Sequence, residues 1–106
     1  MNLRHVVLFG FKTGVGEAEI DEVVSRFRAL REQVPGIEAF ESGVNNSPEG
    51  LNRGLTHAFL LTFATTAARD AYLIHPTHVA FAQWVGQFVG TVTVVDYFAQ
   101  PPAQLL

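Results

Sequence analysis

Two stretches of this chain carry apolar residues at every second position and again at the positions between, and that doubling constrains the fold more than any other feature. In residues 3–11 (LRHVVLFGF), Leu3, His5, Val7, Phe9 and Phe11 share one face of a two-residue period, and Val6 and Leu8 lie on the other. Residues 56–64 (THAFLLTFA) repeat the pattern, with His57, Phe59, Leu61 and Phe63 opposite Ala58 and Leu60. A strand of this kind belongs in the middle of a sheet, covered on both faces.

The segments around them read more simply. In residues 17–34, Ile20, Val23, Val24, Phe27, Leu30 and Val34 recur at helical spacing, with acids in the first turns and arginines in the later ones, and Pro35-Gly36 stops the helix. Residues 37–45 (IEAFESGVN) form a weaker strand whose Glu38 and Glu41 suit a sheet edge. NNSPEGLNRG (45–54) is a turn-rich loop. A short helix at about 66–74 and a longer one from Thr77 to Val89, striped by Phe81, Val85, Phe88 and Val89, are separated by His75-Pro76. Residues 91–98 (TVTVVDYF) form the last strand. The domain therefore spans 1–98, and 99–106 (AQPPAQLL) is a frayed or draped tail.

The order β-α-β-β-α-β predicts an α+β, ferredoxin-like fold with a four-stranded antiparallel sheet. Right-handed crossovers put strands 1 and 3 at its centre. Helices can cover one face only, which leaves Val7, Phe9, Phe59 and Leu61, or their opposites, facing outward. Of the 106 residues, 48% are apolar and 16% charged, against about 25% charged in an average soluble protein. The simplest cover for the spare face is an identical sheet, giving a homodimer. The net charge of −3 and the scattered basic residues argue against nucleic acid and anionic membrane as partners. There is no cysteine and no apolar run near the roughly 18 residues of a membrane span, so a cytoplasmic protein is expected.

The segments RHVVLFGFK, NNSPEGLNRG, THAFLLTF, AYLIHPTHVAF and VVDYF resemble those of the stress-responsive dimeric α/β-barrel (Dabb) family, over residues 3–98. The resemblance implies a ferredoxin-like homodimer whose two sheets form one barrel. Most such proteins have no settled activity. One plant member is a cofactor-free polyketide cyclase using a tyrosine and a histidine, which resemblance matches to Tyr72 and His78, with His5 and His57 matching further pocket histidines. This chain departs from the family in its barrel-facing side chains and its first helix's stripe.

Strand order makes its own prediction about a site. Strand 1 runs antiparallel to strands 3 and 4, so His5 should approach Asp96, and the connection leaving strand 3 carries Tyr72, His75 and His78 from that same rim. A histidine can accept a proton near neutral pH, and a carboxylate would fix its tautomer. His78 as base, oriented by Asp96 or His5, with Tyr72 as hydrogen-bond donor, is the sharper reading. The plainer one is that these histidines bond backbone at element ends and that the Tyr72 hydroxyl reaches water. Phe9, His57, Phe59 and His75 are expected to line the ligand space, although His57 starts strand 3 at the far end. His75-x-x-His78 lacks a third ligand for a metal, and no glycine pattern or aromatic pair signals a nucleotide, haem or flavin, so no cofactor is expected.

Two functions follow. One is a cofactor-independent enzyme that abstracts a proton next to a carbonyl in a small apolar or aromatic compound held in the barrel cavity, as a cyclase or isomerase does. The other is a non-catalytic ligand-binding or stress-associated protein. A cavity reaching Tyr72 and His78 favours the first, and a barrel filled by Phe9, Phe59 and Phe63 favours the second.

Overall fold

The two doubly apolar stretches form the central pair of a four-stranded antiparallel sheet of order β2-β3-β1-β4. The computed structural model describes residues 2–100. Its elements are β1 (Leu3–Phe11), α1 (Glu17–Gln33), β2 (Ala39–Val44), β3 (His57–Phe63), α2 (Thr66–Ile74), α3 (Pro76–Val85) and β4 (Val89–Phe98). This is the ferredoxin-like order predicted from the sequence, with β2 and β4 at the edges. Residues 101–106 of the expected tail lie outside the described residues.

The helices select one face of each strand. Leu3, Val7, Phe9, Phe59, Leu61 and Phe63 are buried beneath them. The α1 stripe supplies Val23, Phe27 and Leu30, and the Phe27 ring stacks on Phe59 with centroids 4.5 Å apart. Each such side chain removed from water contributes on the order of 1.5–3 kcal/mol. The outward face therefore carries the opposites: Val6, Leu8 and Leu60 are half-buried, and Val95 and Tyr97 of β4 are exposed. Phe9, Phe59 and Phe63 fill the helix-side core rather than the interior of any barrel.

The helix layer lies over β1, β2 and β3 and stops short of β4. Val92, Val94 and Phe98 pair with Phe9, Val7 and Leu3, so they share the helix-side face, yet they are 54%, 51% and 43% exposed. That uncovered edge opens a cavity under α2 and α3.

Three local devices fix these elements. Gly16 N–H donates to Glu19 Oε1 at the start of α1, 3.3 Å, and the Thr65 hydroxyl accepts from Ala68 N–H at the start of α2, 3.1 Å. His75 is extended (ψ 134°) because it precedes Pro76, which separates α2 from α3. The third helix ends at Val85 and not Val89. Gly86 starts a turn in which Phe88 N–H reaches Val85 O, and Phe88 O accepts from Lys12 N–H of the segment after β1, so Val89 opens β4. The apolar stripe runs on past Gly86 only because Phe88 and Val89 reach the same core by another route.

Candidate functional site

Register delivers the first pair of site residues. His5 lies opposite Asp96, with Nδ1 and Oδ1 2.7 Å apart. His5 is 5% exposed, the one buried residue among those described that is classed as polar or charged. A carboxylate oxygen accepts, so Nδ1 carries a proton, and in the neutral ring Nε2 keeps its lone pair. The second carboxylate oxygen of Asp96 accepts from Arg69 Nη1 at 2.9 Å.

Helix α2 supplies the next pair, since Arg69 and Tyr72 stand one turn apart on the same side. Tyr72 is fully buried, its ring 5.9 Å from His5 and 5.3 Å from Phe63. Its hydroxyl has no hydrogen-bond partner among the described residues. Burial pushes its pKa well above the usual tyrosine value, so it stays a protonated donor at neutral and mildly alkaline pH.

His78, on the first turn of α3, lies over Tyr72 with ring centroids 4.3 Å apart. Its expected orienting group is Asp96 or His5. The structure gives it the Leu73 carbonyl instead, 3.0 Å from Nδ1. A carbonyl only accepts, so again Nδ1 is protonated and Nε2 is bare. Burial lowers the His78 pKa, opposed by the bond to Leu73 and assisted by the neighbouring His5 and His75, which keeps the ring neutral at pH 7.

These groups form the polar end of a cavity of about 290 Å³ whose other walls are apolar, among them Val7, Phe9, Phe27, Phe81, Val85 and Val94. It lies between the helices and the sheet, on the face opposite the outward-facing Val6, Leu8 and Leu60. The cavity expected inside a two-sheet barrel is therefore a helix-side cavity of the single chain. A groove of about 370 Å³ between α1 and α3 is larger, but it gathers no such cluster, and its Arg26 guanidinium sits 4.2 Å from the Trp84 ring centre.

Three of the expected ligand-space residues lie outside this lining. Phe59 is packed between Phe27 and Phe9 and supports the wall from behind. His75 Nδ1 accepts from Thr77 N–H at 3.1 Å and caps α3. His57 sits at the other end of the sheet, its Nδ1 2.9 Å from Thr56 Oγ1, beside a separate depression with Asp21 and Arg28. Its pKa is lowered by burial, partly offset by Asp21. Arg69 and the Leu73 carbonyl were not singled out in the sequence. The helical spacing of Arg69 from Tyr72 was the one available signal. No cluster of three metal-ligating side chains occurs among the described residues.

Residues 3–99 match the profile of the Stress responsive A/B Barrel Domain (Dabb), and the chain belongs to that family. Olivetolic acid cyclase of Cannabis sativa is 26% identical over 97 residues, 92% of this chain and 96% of that protein. The crystal structure of At3g17210 from Arabidopsis thaliana superposes with a TM-score of 0.91 at 33% identity, covering 96% of this chain and 99% of that one. A protein of unknown function from Jannaschia sp. CCS1, described as dimeric and ferredoxin-like, gives 0.77 at 28% identity, covering 93% of this chain and 100% of that one.

Proposed function

We propose that this member of the stress-responsive A/B barrel family is a homodimeric, cofactor-independent enzyme that removes a proton next to the carbonyl of a small, neutral, largely apolar compound. His78 Nε2 is the base, and the Tyr72 hydroxyl donates to the oxygen that becomes the enolate. One observation carries this reading: an unpartnered buried donor and a neutral imidazole with its other nitrogen committed to backbone lie together at the polar end of an apolar cavity. A donor aimed at developing negative charge in a water-poor site is worth more than in water, and a neutral base is ready to act at pH 7. His5, held by Asp96, is a second acceptor within the same cavity.

The polarity of the cluster sets the substrate class. One donor and two bare nitrogens suit a ligand with a carbonyl oxygen and acidic hydrogens, and they disfavour a carboxylate, which needs several donors. A polyketide-like substrate fits that description, and the likeness to olivetolic acid cyclase supports it. The dimer is proposed on the outward face of Val6, Leu8, Leu60, Val95 and Tyr97 and on the dimeric description of the Jannaschia protein.

A second reading, binding without turnover, is favoured by the complete burial of the Tyr72 hydroxyl, which needs a ligand acceptor to satisfy it. Incubation of enolisable 1,3-dicarbonyl and aryl ketone probes in D2O separates the two. The enzyme reading predicts protein-dependent deuterium uptake at the carbon next to the carbonyl, monitored by proton NMR. Saturable binding with exchange no faster than in buffer, across the probe set, supports the carrier instead.

A further inference from the structure

Arg69 has an unusual position for a surface arginine. It stands on α2, yet it reaches across the open edge of the cavity to β4, where Nη1 meets Asp96 Oδ2 at 2.9 Å, while Nε meets Asp70 Oδ1 at the same distance. Its side chain and that of Asp96 are each 21% exposed, and the His5 side chain beyond them is 6% exposed. Both oxygens of Asp96 are thereby committed, one to the His5 imidazole and one to the Arg69 guanidinium, and the pair of bonds opposes rotation of the carboxylate.

We propose that Arg69 is a positioning residue for His5: its guanidinium clamps the Asp96 carboxylate so that His5 holds its proton on Nδ1 and leaves Nε2 bare at the end of the cavity. The inference rests on the reading of this cavity as an acid–base site, where a bare Nε2 is useful and a protonated one is not. A neutral imidazole left alone exchanges its proton between the two nitrogens, and the hydrogen bond on one of them decides the tautomer. An Asp96 side chain free on one oxygen can rotate toward water and release that hold. An arginine resists such rotation better than a lysine, because its planar fork carries donors in fixed directions.

A merely structural arginine would tie α2 to β4 and nothing more. The state of the His5 ring separates the two roles. The chain, labelled with nitrogen-15 in histidine and measured well above the ordinary imidazole range, should show His5 as a single tautomer with Nδ1 protonated. In Arg69→Gln, the His5 signals should move toward a mixture of both tautomers, while the His78 signals, set by the Leu73 carbonyl, stay where they were. Arg69→Lys keeps the charge that ties α2 to β4, so it should fold and give a population between the two. His5 protonated on Nε2 in the unmodified chain, or an unchanged His5 tautomer in both folded variants, overturns the proposal. Should Arg69→Gln not fold, the Arg69→Lys spectrum decides in the same way. The readout needs no substrate. A shifted tautomer in a protein that exchanges no carbonyl proton would refute the catalytic reading and leave the clamp standing, and turnover with an unshifted tautomer would do the reverse.

Discussion

His5 Nδ1 and Asp96 Oδ1 lie 2.7 Å apart, although 90 residues of chain separate them. The pairing of β1 with β4 makes this contact, and the burial of His5 makes it matter. Replacing Asp96 with Ala leaves the His5 Nδ1–H without its acceptor inside the core. We expect a loss of about 1–3 kcal/mol in urea unfolding, the usual consequence of an orphaned buried donor. Unchanged stability would show that His5 finds another partner.

Tyr72→Phe should act on stability and activity in opposite directions. The hydroxyl is buried without a partner, so removing it relieves a desolvation penalty, and the ring still packs against Phe63 and His78. Stability should hold or rise by up to about 1 kcal/mol. Proton exchange on a carbonyl probe should fall by roughly 10²-fold, the scale of losing a positioned donor. A variant that loses stability while keeping full exchange would contradict both assignments.

The pH dependence follows from two imidazoles. His78 and His57 both titrate below the ordinary value of 6.5 in the folded chain, each chiefly through burial. Below pH 6.5 the unfolded chain takes up protons that the folded chain still refuses. Stability should therefore be independent of these groups above that pH and fall as the pH drops from 6.5 toward their folded values. The difference in melting temperature between the chain and His78→Gln should be constant near pH 8 and change between about pH 6.5 and 5. The acid limb of catalysis should likewise lie below 6.5, because His78 remains neutral there. A limb above 6.5 would assign the base elsewhere.

Dimerisation should respond to the outward face and ignore the helix-side one. Leu60 is half-buried on the uncovered side of β3, next to β1 residue Val6 by register. Leu60→Asp should split the dimer into folded monomers or lower its affinity by orders of magnitude, read by light scattering across micromolar dilutions. A chain that is monomeric and well folded before any substitution would refute the homodimer.

Much of this was legible in the chain, and the reasons it stopped are local. Alternation in LRHVVLFGF and THAFLLTFA fixed the two central strands, and antiparallel order was enough to bring His5 to Asp96. Periodicity could not say which face of those strands the helices would cover, because both faces are apolar, and so the cavity was expected on the barrel side. The apolar stripe predicts a third helix four residues too long, since Phe88 and Val89 continue the spacing of Phe81 and Val85 while Gly86 has already turned the backbone. His75 follows the plainer expectation, a histidine bonding backbone at a helix end, whereas the roles of Arg69 and the Leu73 carbonyl depend on side chains reaching across elements or onto backbone, and residue spacing does not encode that reach.

His78 is assigned to take a proton from a carbonyl compound in the helix-side cavity. The most direct test compares deuterium uptake by one exchanging 1,3-dicarbonyl probe in the unmodified chain and in His78→Ala at equal occupancy of the site. The rate should be lower by roughly 10²-fold or more in the variant, with the probe still bound and the fold intact. Equal rates in the two proteins would contradict it.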